Sequence, residues 1–65
     1  MLHIWRTPLG FLVLLWRPGR RWIGMRGGDI RRVYELLLRR GVARNEIAAA
    51  LVRAAPAEAR AHGLD

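Results

Sequence analysis

Two proline-containing interruptions, Thr7-Pro8-Leu9-Gly10 and Arg17-Pro18-Gly19-Arg20, constrain this chain more than any other feature. They cut its apolar first part into runs far too short for a membrane-crossing helix, and each cut carries a turn signal. Pro8 and Pro18 pre-set φ at the second position of a type I or II turn, and Gly19 supplies the positive φ that type II then requires. The runs between, residues 2–6, 11–16 and 21–26, are of strand length and rich in Leu, Val, Ile and aromatic side chains. They predict a three-stranded antiparallel meander. The competing reading is an N-terminal interfacial amphipathic helix with Trp and Arg at lipid headgroups, which would make the chain mostly helical. Pro8 and Gly10 would break that helix near its middle, so the meander is preferred.

A hairpin closed on Pro18-Gly19 sets a register: Arg17 faces Arg20, Trp16 faces Arg21, Leu15 faces Trp22, Leu14 faces Ile23 and Val13 faces Gly24. One sheet face then carries Phe11, Val13, Leu15 and Trp22, and the other carries Leu12, Leu14, Trp16, Ile23 and Met25. Strands apolar on both sides call for cover on both sides, and a chain of 65 residues can lay helices over only one. The second face is expected to be an exposed apolar patch that meets a partner through Leu12, Leu14, Ile23 and Met25, in a homodimer or a larger assembly.

The second half is built of helix formers. All nine alanines lie between Ala43 and Ala61, and Gly27-Gly28 separates them from the aromatic half as a hinge. Asp29 is placed to cap a helix over residues 30–40, with Ile30, Val33, Tyr34 and Leu37 on its inner face and Glu35 spaced to pair with Arg31 and Arg39. Arg39-Arg40 would sit at the negative end of its dipole, before Gly41. A second helix is expected over residues 45–55 with Ile47, Ala48, Leu51, Val52 and Ala55 inward, and Pro56 opens a short last turn ending near Gly63. The fold class is therefore α+β in a single domain: a basic meander over residues 1–26, a glycine hinge at 27–28 and a helical hairpin over 29–65.

Charge is distributed unevenly along this frame. The net +7 comes from twelve Arg, without a single Lys, against five acids. Residues 1–28 carry Arg6, Arg17, Arg20, Arg21 and Arg26 and no acid, whereas residues 29–65 set seven Arg against five acids. Arg17 opposite Arg20 is repulsive, and nothing nearby in the sequence relieves it. An external anion would. Arg17, Arg20, Arg21 and Arg26 are accordingly the expected contacts to nucleic acid or another polyanion, with Trp16 and Trp22 as aromatic contacts.

Catalysis has little to draw on. Ser, Cys, Lys and Gln are absent, the one Thr lies in a turn, and His3 and His62 are 59 positions apart, so neither an ordinary nucleophile nor metal-ligand spacing is present. No enzyme activity, metal or cofactor is expected. The expected function is a small basic binding protein, nucleic-acid-binding or nucleoprotein-associated through its arginine-rich hairpin tip. The alternative is a structural adaptor or accessory subunit of a phage particle or membrane complex, including peripheral contact with an anionic membrane through the Trp- and Arg-bearing half. The expected location is the cytoplasm, or the inner face of a membrane.

Residues 36–51, with Gly41-Val42 between helices and Glu46-Ile47-Ala48 leading to Leu51, resemble the opening of bacterial helix-turn-helix domains. The resemblance implies a DNA-reading helix downstream. Two departures oppose it: Ala43 stands where Ser or Thr usually caps, and Val52-Arg53-Ala54 replaces the glycine-containing turn. A plain helical hairpin on the sheet is the expectation. The meander leading through its Arg17-Pro18-Gly19-Arg20-Arg21 tip into a helix is also loosely similar to the arm-DNA-binding domain of phage-type integrases.

Overall fold

The computed structural model of the protein describes residues 1–64, with Arg26 described by its backbone alone. Its first half is a three-stranded antiparallel sheet of order β1-β2-β3, with β1 at Leu2–Thr7, β2 at Gly10–Arg17 and β3 at Arg20–Arg26. No interfacial helix forms in this segment. Each hairpin closes on two residues, Pro8-Leu9 and Pro18-Gly19, so the strands run closer to the turns than the apolar runs alone indicate. Gly19 takes φ +77, the value a type II turn needs after proline. The first turn is tied by the Thr7 hydroxyl, which donates to the Gly10 carbonyl at 3.0 Å.

The register is the one the second turn requires, from Arg17↔Arg20 through Val13↔Gly24, and β1 joins with Leu2↔Leu15, Ile4↔Val13 and Arg6↔Phe11. Met1 extends this ladder, its amino group donating to the Trp16 carbonyl at 2.7 Å and its own carbonyl accepting from the Trp16 N–H at 2.8 Å. One face therefore holds Leu2, Ile4, Phe11, Val13 and Leu15, all buried.

Three helices cover that face: α1 at Ile30–Arg39, α2 at Arg44–Ala54 and α3 at Pro56–Ala61. Asp29 caps α1, its Oδ1 accepting from the N–H groups of Arg31 at 3.0 Å and Arg32 at 3.4 Å. The other end of α1 is a Schellman turn: the Val42 N–H donates to the Leu37 carbonyl at 3.1 Å and the Gly41 N–H to the Leu38 carbonyl at 3.0 Å, with Gly41 at φ +81. Val42 and Leu37 are both buried, which anchors this turn in the core.

The buried face of α1 is Ile30, Val33 and Leu37, with Tyr34 half-buried beside them. On α2 the core residues are Ile47, Ala50 and Leu51, while Ala48 and Val52, expected inside, are half-buried. The helix packs against β1, α1 and α3 at once, and Ala50 is buried among them in the core. The short last turn that Pro56 opens is a third helix, in which Ala59 is buried, and Leu64 closes it by its N–H donating to the Ala59 carbonyl at 2.9 Å. The expected helical hairpin is followed by α3, a helix of six residues with Ala59 buried. Among the described residues, no helix is long and apolar enough to cross a membrane.

Candidate anion-binding cleft

The β2–β3 hairpin projects its tip beside the C-terminal turn of α1. Because side chains alternate along a strand, Arg17 and Arg20 share the helix-covered side with Leu15 and Trp22, whereas Arg21 pairs with Trp16 on the open side. The Schellman turn fixes Arg39 and Arg40 opposite this tip. Between the two walls lies a cleft of about 490 Å³ lined by Leu15, Arg17, Arg20, Arg21, Trp22, Arg39 and Arg40. All five arginines are exposed, and among the described residues no carboxylate lines the cleft.

Several close contacts define its shape. The Arg40 guanidinium stacks over the Trp22 ring, 4.1 Å from its centroid. Trp22 is half-buried because its indole lies flat across Gly24: a Cβ on Gly24 would come within 2.6 Å of both Cη2 and Cζ2 of that ring. The Arg17 guanidinium rests against the end of α1, its Nη1 and Nη2 at 3.9 and 4.0 Å from where a Cβ on Gly41 would be. The helix end offers partial relief only, since its dipole is equivalent to about half a negative elementary charge against five guanidinium groups.

No acid of the helices answers the tip. An ion pair joins Arg6 Nε to Glu58 Oε1 at 2.9 Å, and Arg6 also lies 4.6 Å over the Phe11 ring. Glu58 is thus engaged at the other end of the sheet, and Glu35 makes neither pair that its spacing permits.

Of the residues singled out from the sequence, Arg17, Arg20 and Arg21 come together in the cleft; the side chain of Arg26 lies outside the described structure. Trp22 floors the cleft and Trp16 stands on the opposite sheet face with Arg21 5.7 Å from its ring centroid. Leu12, Leu14, Ile23 and Met25 do share that open face, Ile23 62% and Met25 51% exposed, the two leucines half-buried. Arg39 and Arg40 are the residues sequence reasoning missed. Their position at a helix C-terminus explained them fully as dipole partners, and the signal that α1 ends beside the hairpin tip is tertiary. No set of three or more His, Asp or Glu side chains that could hold a metal ion occurs among the described residues. No protein-family model, curated protein or solved structure matches the chain.

Proposed function

We propose that this protein is a non-catalytic binding protein that takes the phosphates of nucleic acid in the cleft between the hairpin tip and the end of α1. The observation that supports the reading is five exposed guanidinium groups, from the β2–β3 hairpin and the end of α1, converging on one cleft without a carboxylate among the described residues. Guanidinium groups form bidentate, charge-assisted hydrogen bonds to phosphate, so an anion seated there both neutralises their repulsion and gains directional contacts. The Trp22 floor and the Arg40 ring contact keep one wall ordered, which lowers the entropy lost on binding.

Titrating fluorescent oligonucleotides at several salt concentrations tests this. Logarithmic affinity should fall linearly with logarithmic salt, and Arg17→Ala with Arg20→Ala should reduce the slope by about 1.4 on a single strand or about 1.8 on a duplex. Arg39→Ala should act in the same direction. Arg53→Ala, on the exposed side of α2, should change the slope least. Absence of binding at low salt, or an equal effect of Arg53→Ala and the cleft variants, would defeat the proposal.

A further inference from the structure

The open face of the sheet is a row of rungs. Register places Trp16 and Arg21 on the first, His3, Leu14 and Ile23 on the second, and Trp5, Leu12 and Met25 on the third. Each rung therefore carries one flat π-system. Trp5 is 47% and Trp16 53% exposed, and the His3 and Trp5 rings stack with centroids 5.7 Å apart and 19° between planes. Residues four apart on a strand are separated by about 14 Å, so the row from Trp16 to Trp5 runs about 14 Å along the sheet.

We infer that this face binds the unstacked bases of a single-stranded nucleic acid whose phosphates lie in the arginine cleft. The inference rests on the function proposed above and names which nucleic acid the cleft serves. Two observations carry it. Arg21 belongs to both surfaces, lining the cleft and lying over the Trp16 ring, so a strand leaving the cleft meets the first rung directly. Charge complementarity is the second: residues 1–28 contain no acid, so every side chain the strands present on this face is neutral or cationic. A duplex satisfies only half of this. Its bases face each other and offer the exposed Trp and aliphatic side chains nothing to cover them. A three-stranded sheet, roughly 14 Å wide, is also broader than the ~12 Å major groove. Single-stranded bases instead present π-faces that stack on Trp regardless of sequence.

The test compares a single-stranded oligothymidylate, the same strand in a duplex, and inorganic polyphosphate, read by anisotropy or competition and by intrinsic tryptophan fluorescence. The single strand should bind more tightly than the duplex and quench the fluorescence. Trp16→Ala should weaken the single strand about 5- to 100-fold and leave polyphosphate unchanged, and Trp16→Phe should restore most of the loss. Trp5→Ala should act in the same direction. Equal affinity for single strand and duplex, with Trp16→Ala neutral on both, overturns the inference while leaving the cleft reading intact. If none of the three polyanions binds, the cleft reading fails and the inference with it. A dimer in sedimentation that Ile23→Glu dissolves without altering oligonucleotide affinity gives the face to a second copy and overturns the inference. Binding of phosphatidylglycerol-containing vesicles with a blue shift that Trp16→Ala abolishes, without quenching by the single strand, gives the face to lipid and overturns it too.

Discussion

Replacing Gly24 by Ala tests whether the cleft floor is a built feature. The added Cβ would lie 2.6 Å from two atoms of the Trp22 indole, which is inside any tolerable contact, so the ring must lift from the sheet. Forced displacement of a packed side chain costs typically about 1–3 kcal/mol. Losing the Arg40 contact, 4.1 Å from the ring, adds about 0.5–1 kcal/mol. Against these, alanine restricts the unfolded chain and returns about 0.4–1 kcal/mol. Steric displacement wins, leaving a net loss of about 0.5–3.5 kcal/mol. In a chain of this size that lowers Tm by roughly 2–28 °C. Thermal unfolding followed by far-UV circular dichroism measures it. The control is the same substitution in a Trp22→Leu background, where no ring spans position 24 and Gly24→Ala should stabilise slightly. A coupling of about 1.5–4 kcal/mol between the two positions is expected. Equal losses in both backgrounds, or a stabilised Gly24→Ala single variant, would refute the reasoning.

Asp29→Ala should remove about 1 kcal/mol by freeing the N–H groups of Arg31 and Arg32, whereas Asp29→Asn, which can still accept, should lose less; urea unfolding separates them. Glu58→Gln should cost under about 1 kcal/mol because the Arg6 pair is partly exposed, and the cost should shrink at high salt, with amide exchange faster in α3 than in α1.

The sheet was legible because its signals are local. Pro18 and Gly19 define a two-residue turn, and once that turn is placed, strand periodicity assigns every side chain from Val13 to Gly24 to a face. Asp29 and Gly41 marked the ends of α1 through capping chemistry that depends on neighbours in sequence. What escaped was decided at a distance. Arg39 and Arg40 join the cleft only because buried Leu37 and Val42 dock the end of α1 beside the hairpin, and Ala50 is buried where three elements pack against α2. The stack of Trp22 over Gly24 was equally hidden, since the sequence shows a glycine in a strand without showing which ring crosses it.

The two walls of the cleft are about twenty positions apart in sequence and meet only when the core is formed, which ties occupancy to folding. An anion that bridges both walls would bind the native chain more tightly than the unfolded one, adding up to about 2.7 kcal/mol of stability at a hundredfold excess over its Kd. Domains this small often have only about 3–5 kcal/mol in total. Without a bound anion, like charge among the five guanidinium groups would oppose closure of the hairpin against α1. On the proposed reading, a bound polyanion would complete the fold as well as occupy the cleft, and resistance to heat and proteolysis would rise with the amount of polyanion present.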